Sequence, residues 1–273
     1  MLSITNRPQL REPVMILALS GWVDAGLAGA GTITALREQL ADANEFATID
    51  LGDHMDLQQT RPVARWADDG NRAIDWPTIT FVAGELGRDI VLVSGPEPSL
   101  QWPTVASTIV DAARRLGVQE AFTVAGMPAL ASHRRPVAVL ATATQRSLAQ
   151  EIAPLRTVYA GPTGLQTIVQ RALGDAGIRG AGLWAQVPQY VAGSPSPPAV
   201  RALLRRLAEI GRLDLDVRPL DARCEAYVTR VDAGLATRPD VAEIVDRIDR
   251  EHPAAGDDLV SEIELFLRSQ PDE

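Results

Sequence analysis

The 273 residues are 46% hydrophobic but only 4% aromatic, enough for one sizeable α/β core packed mainly by Val, Ile, Leu and Ala. All 26 basic residues are arginine against 35 acidic ones; the net charge of -9 argues against nucleic-acid partners and anionic membrane surfaces, and the missing lysines exclude Schiff-base chemistry and a Walker loop. A single cysteine, Cys224, excludes an internal disulfide and a thiolate metal cluster. No charged-then-apolar leader opens the chain and no apolar run reaches membrane-spanning length, so a cytoplasmic protein is expected.

Residues 1–13 are polar, with Pro8 and Pro13, and read as a lead-in. Val14 to Leu19 is an apolar run of strand length that stops at Ser20 and Gly21. A helix then opens at Asp24 and runs from residue 25 to about Leu40, with Asp24 placed to cap it. Gly26, Gly29 and Gly31 leave one face of that helix nearly bare, so backbone can approach backbone. Phe46 to Leu51 is a second strand. In residues 52–77, Trp66 and Trp76 flank a polar turn at Asp68-Asp69-Gly70-Asn71, which fits a pair of edge strands or a covering loop.

Thr78 to Val82 and Asp89 to Ser94 are strands. After Pro103 comes a helix with Val105, Ile109, Ala112 and Leu116 on one stripe, stopped by Gly117. Ala121 to Ala125 is a strand and Val137 to Ala141 is apolar again. Val158, Tyr159 and Ala160 lead into Gly161-Pro162-Thr163-Gly164 and a helix with Leu165, Ile168, Val169 and Ala172, closed by Gly174. Gly182 to Val187 is a last strand, and Ser194-Pro195-Ser196-Pro197-Pro198 starts the helix through Leu207 and Ile210.

The alternation predicts an α/β fold, a mainly parallel sheet covered on both faces, over residues 1–212. Beyond Leu213 only helical stripes are visible: Leu220, Cys224, Tyr227, Val231 and Leu235; then Val241, Ile244, Val245 and Ile248; then Leu259, Ile263, Phe266 and Leu267. Residues 213–273 are therefore expected to form a helical extension packed on the core, with Cys224 as a buried structural thiol.

The loops after the predicted strands should meet at one sheet edge, where α/β proteins usually build their sites. Trp22, Asp24, Glu97, Met127, His133, Arg135, Thr163 and Tyr190 are the candidate groove residues. Each has a plainer alternative. Asp24 is more readily a helix cap than an acid, and the Gly161–Gly164 turn could hold an anion or simply use Thr163 as a cap. Glu97, rigid between two prolines, could act as a base or pair with Arg134 or Arg135; the His133-Arg134-Arg135 run could bind an anion or form a salt-bridged loop. Gly21 and Gly26 imitate half a phosphate loop without its lysine, and the spacing of Gly26, Gly29 and Gly31 is not the dinucleotide fingerprint. His54, His133 and His252 lack metal-ligand spacing, and no nucleophile elbow is present. No complete catalytic set emerges, so no cofactor or metal is expected and the reading leans away from an enzyme.

Taken together, Gly21-Trp22-Val23-Asp24-Ala25-Gly26, Gly95-Pro96-Glu97-Pro98 with Trp102, Gly126-Met127-Pro128-Ala129 with His133, and Gly161-Pro162-Thr163-Gly164-Leu165 form an ordered set. With Ala185-Gln186-Val187-Pro188-Gln189-Tyr190-Val191, Ser194-Pro195-Ser196-Pro197 and Gly256-Asp257-Asp258-Leu259, it resembles the actinobacterial branch of the proteasome assembly chaperone family, second-chaperone type. The resemblance implies a three-layer α/β/α fold similar to purine nucleoside phosphorylases, and homo-oligomers, with trimers among the expected forms. It carries over no catalytic residue. Members that engage proteasomes often end in a hydrophobic-Tyr-any residue tail, whereas these residues end Ser269-Gln270-Pro271-Asp272-Glu273, so docking by that tail is not expected. Arg134 stands where the family usually has Thr, and Gln189 where a His is common.

Two functions follow. The first is a non-enzymatic, homo-oligomeric assembly or scaffold protein linked to the proteasome. The alternative is a small-molecule-binding protein or hydrolase with a nucleoside- or phosphate-like ligand in the groove.

Overall fold

The computed structural model describes residues 2–21, 23–152 and 160–251. In chain order the strands are β1 (Leu2–Ile4), β2 (Val14–Ser20), β3 (Ala41–Asp50), β4 (Val63–Trp66), β5 (Arg72–Asp75), β6 (Thr78–Glu85), β7 (Asp89–Pro96), β8 (Glu120–Ala129), β9 (Val139–Ala143) and β10 (Arg179–Pro188). The helices are α1 (Ala28–Gln39), α2 (Trp102–Leu116), α3 (Arg146–Glu151), α4 (Leu165–Asp175), α5 (Pro197–Gly211), α6 (Asp221–Leu235) and α7 (Pro239–Glu251).

Every residue from Val14 to Leu19 is buried, as a strand covered on both faces requires. Alternate residues of β2 feed two cores. Val14, Ile16 and Ala18 pack with α1 and α5, while Met15, Leu17 and Leu19 pack with α2 and α4. The result is a three-layer α/β/α fold around an eight-stranded sheet of order β1-β3-β6-β7-β2-β8-β10-β9.

That sheet is mixed. β7, β2, β8 and β10 are parallel, whereas β1, β3, β6 and β9 run antiparallel to their neighbours. The link between β6 and β7 shows why the mainly parallel expectation holds only at the centre. Leu86, Gly87 and Arg88 are too few for a parallel crossover, and Gly87 at φ 73° lets the chain turn straight back. Strands β3, β6, β8 and β10 also run past their apolar centres, because ladder pairing continues where the side chains have become polar or small. Residues 63–75 form a pair of strands, as one alternative had it, but as a two-stranded hairpin of its own and not at an edge of the main sheet. Helix α4 ends at Asp175 rather than at Gly174, with left-handed Gly177 beyond it. Val158 and Tyr159, ahead of the Gly161–Gly164 turn, and the third helical stripe lie outside the described residues.

α6 and α7 carry the first two helical stripes expected beyond Leu213. Leu220 and Cys224 join the core beneath α5, and the Cys224 thiol is pushed up by burial. Tyr227, Val231, Leu235 and Val245 make a further cluster that Tyr190 and Val191 pack against.

The bare face of α1 is used for close packing. A Cβ on Gly29 would lie 2.6 Å from the Val124 carbonyl oxygen, and one on Gly31 would lie 2.7 Å from Val200 of α5. At Gly126 of β8, a Cβ would fall 2.0 Å from the Ala25 carbonyl oxygen, so the turn entering α1 sits directly on the strand. Replacing Gly126→Ala is expected to cost about 1–3 kcal/mol of unfolding free energy, measured by chemical denaturation. Gly234→Ala is the control: nothing lies within 4 Å of its Cβ inside α6, so that variant should be neutral or more stable by up to about 1 kcal/mol.

Candidate functional site

The parallel ladder comes apart at the carboxyl edge. β2 and β8 pair only from Val14 with Glu120 to Leu17 with Thr123, while β2 follows β7 as far as Ser20 and β8 follows β10 as far as Ala129. Buried amides beyond the parting need other acceptors. Gln166 in the first turn of α4 supplies one, accepting from the Leu19 amide at 3.1 Å. Asp24 supplies the other: its Oδ1 accepts from Gly126 at 3.2 Å and from Gly29 at 2.7 Å, and its Oδ2 accepts from Ala30 at 3.0 Å. One carboxylate thus caps α1 and holds β8 to it, where the positive end of the helix dipole favours a negative charge.

Glu97 has a parallel role. Its carboxylate accepts from the Leu165 amide at 2.5 Å, at the start of α4, and its own amide donates to the Ser20 carbonyl at 2.7 Å. Gly21 and Gly164 have no side chain where Glu97 lies; a Cβ on either would stand within 2.8 Å of it. Three loops therefore close on one carboxylate. The expected Thr163 cap is not made: Thr163 is exposed, and Gly164 occupies the N-cap position.

The second group centres on His133, which is buried. The Tyr190 hydroxyl lies 2.9 Å from the His133 backbone amide and 2.8 Å from its Nδ1, and His133 Nε2 lies 3.1 Å from Asp232 Oδ1 on α6. A neutral imidazole satisfies all three: Tyr190 accepts from the amide and donates to Nδ1, and the proton on Nε2 goes to Asp232. Burial pushes the Tyr190 phenol up to about 12, so it keeps its proton. Burial also lowers His133 below the usual histidine value, against the pull of Asp232. At Asp232 burial acts upward, but hydrogen bonds from Arg134 and His133 outweigh it and hold the carboxyl low. Arg134 donates to Asp232 at 2.8 Å and to Asp246 at 3.0 Å, and Arg135 donates to Asp249 at 3.1 Å. This run is a clamp that fastens α6 and α7 to the sheet edge.

The structure thus gathers the groove residues into groups that hold the chain together. Asp24 and Glu97 are caps; His133, Arg135 and Tyr190 are in the clamp; Met127 packs with Ala129, Leu130 and Ala131. Trp22 lies outside the described residues. Glu97 pairs with a helix start and not with Arg134 or Arg135, whose carboxylate partners come from α6 and α7. Sequence reasoning missed those partners, Asp232, Asp246 and Asp249, and also Gln166. A signal existed for three of them: Asp246 and Asp249 are three apart on one helix face, and Gln166 shares a face with the buried Val169 and Leu173.

A mixed eight-stranded sheet between helix layers, its edge closed by loops that cap and clamp one another, defines a three-layer α/β/α protein with a helical appendage. The chain belongs to the PAC2 family, which it matches over residues 18–233. It is similar in structure to a PAC2 family protein from Streptomyces avermitilis, at 36% identity and a TM-score of 0.79, covering 85% of this chain and 99% of that one. It is likewise similar to a proteasome-assembly chaperone homologue from Mycobacterium tuberculosis, at 31% identity and a TM-score of 0.78, with the same coverage. An archaeal proteasome activator from Pyrococcus furiosus, at 18% identity and a TM-score of 0.67 over 85% of this chain and 97% of that one, shares the fold. No curated protein matches the chain.

Two expectations follow from the geometry. Asp24→Ala leaves the Gly126 amide without an acceptor and uncaps α1, and should cost about 2 kcal/mol or more in denaturant unfolding. The folded state disfavours a proton on His133, so that contribution is complete above the unfolded value of 6.5 and is lost as pH falls through 6.5 toward the lower folded value. Unfolding free energy should decline between pH 7.5 and pH 5, and the decline should be shallower in His133→Gln.

Proposed function

We propose that this chain is a non-enzymatic, assembly-chaperone-like or scaffold protein that works as a homo-oligomer, a trimer in the form the family resemblance implies, with the proteasome as its partner. One observation carries the reading. The polar side chains at the carboxyl edge of the sheet are spent on the chain itself, Asp24 and Glu97 on helix starts and His133, Arg134 and Arg135 on α6 and α7. A site built for turnover would instead aim such groups at an open position beside a matched acid or base. The likeness to a mycobacterial proteasome-assembly chaperone homologue supports the same reading and suggests the partner.

In this proposal residues 1–212 form the core and 213–273 the helical extension, of which the clamp holds α6 and α7 against the sheet edge. Among the described residues no helix is long and apolar enough to cross a membrane, in keeping with a cytoplasmic setting for such a task.

Purification of the tagged chain from its native cell is expected to bring proteasome subunits with it, identified by mass spectrometry. Recovery of the chain without them, at expression close to native, overturns the proposed partner. A thermal-shift screen of nucleosides, phosphates and carboxylates at millimolar concentration is expected to leave the melting temperature unchanged. A rise with any of them would favour the small-molecule reading, since a ligand of the folded state must stabilise it.

A further inference from the structure

The outer edge of the sheet and a recess beside it combine three features that suit one kind of ligand. β1 is the first strand of the sheet order and pairs only with β3. The Thr5 amide donates to the Phe46 carbonyl and Ser3 stands opposite Thr48, so Ser3 and Thr5 bond inward to β3. The amides and carbonyls of Leu2 and Ile4 therefore point outward, where a further strand can pair with them.

Leu2 and Ile4 lie opposite Ile49 and Ala47, so their side chains share the face that α2 covers. There Leu2, Ile4, Phe46, Phe81, Ala112 and Leu116 line a recess of about 110 Å³. An apolar cavity of about 150 Å³ holds a benzene molecule, so this recess has room for a single aliphatic side chain. Arg7 and Arg115 complete the lining, and both are exposed. Arg7 donates to the Arg115 carbonyl in the last turn of α2, which uses one of its five N–H groups. Among the described residues neither arginine has a carboxylate partner, and Asp111, one turn before Arg115, forms no ion pair with it. Two guanidiniums thus share the mouth of one apolar recess without an acid between them, in a chain of net charge -9. A carboxylate placed there would relieve their repulsion and accept charge-assisted hydrogen bonds from both.

We propose that this edge binds the carboxyl end of an extended peptide whose last residue is Leu, Val or Ile. The peptide adds a strand to β1, its final side chain fills the recess, and Arg7 and Arg115 hold its terminal carboxylate. The chemistry selects a chain terminus because one residue must bring an aliphatic side chain and a carboxylate to adjoining places beside a strand edge. An acidic side chain brings the charge without the aliphatic group, and a small carboxylate brings no backbone for Leu2 and Ile4 to pair with. Such a site goes beyond the scaffold reading above, and its failure would leave the proposed proteasome partner untouched.

The test is fluorescence anisotropy of the full chain with a fluorescein-labelled peptide, Thr-Ser-Thr-Thr-Val-Leu with a free carboxyl end, and circular dichroism of each variant. The peptide is expected to bind saturably. Amidation of its carboxyl end, or Gly in place of its last Leu, should each weaken binding about tenfold or more. Arg115→Gln should weaken the free-acid peptide by a similar factor and leave the amidated one unaffected, which a general loss of structure would not do. Ile4→Pro removes an outward amide and no ladder bond to β3, and should also weaken binding about tenfold. N-acetyl-leucine at millimolar concentration should not compete. Absence of saturable binding, or equal binding of the amidated peptide, overturns the proposal. Undiminished binding to Ile4→Pro, or competition by N-acetyl-leucine as strong as that by unlabelled peptide, overturns the added strand and with it the peptide as occupant.

Discussion

The parting of β2 from β8 beyond Leu17 is the constraint around which the carboxyl edge of this fold is built. Once the ladder stops, each buried amide along the gap needs an acceptor, at a cost of about 1–3 kcal/mol if none is found. Asp24 and Gln166 meet that need from opposite helix layers. The turn into α1 can then sink against β8 because Gly126 and Gly29 offer no side chain to stop it. The loop before α5 is fixed in consequence: the Gly26 amide donates to the Ala192 carbonyl and the Gly26 carbonyl accepts from the Ser196 amide, which sets the start of α5. A local failure of sheet pairing is thereby converted into the attachment point for two helices.

The two ends of the sheet handle charge differently. At the amino end Glu120 is buried and pairs with Arg88 at 2.8 Å, Arg179 at 2.6 Å and Arg212 at 3.2 Å. A buried carboxylate is costly to desolvate, and three guanidiniums satisfy it while joining the β6–β7 link, β8, β10 and the end of α5. At the carboxyl end the ion pairs of Arg134 and Arg135 are half-exposed and individually worth little. Their value there is positional, because the buried hydrogen bonds of His133 and Tyr190 fix the loop from which they reach out.

The layers and the central strands were legible in the sequence because burial on both faces leaves an unbroken apolar run, as in Val14 to Leu19. Helical stripes were legible for the same reason. The antiparallel edges were harder to read: their strands alternate weakly and their direction depends on link length, so the three residues between β6 and β7 carried the information. The site was half legible. Turn chemistry marked Asp24, Glu97 and His133, and the plainer alternatives of cap and salt-bridged loop describe what they do. Their partners were invisible because Leu165, Gly126 and Asp232 are distant in sequence from them, and an amide or a helical aspartate carries no motif. The hairpin at 63–75 was left undecided since its strands face solvent on both sides and show no burial pattern.

The arginine-only basic set has a consequence of another kind. Every cationic clamp described above, around Glu120 and along α6 and α7, ends in a guanidinium. These 273 residues therefore present no side-chain amine to acylating reagents or to enzymes that build isopeptide bonds, the chemistry by which proteins are marked for degradation. A chain of this composition offers no side-chain amine on which such a tag could be built.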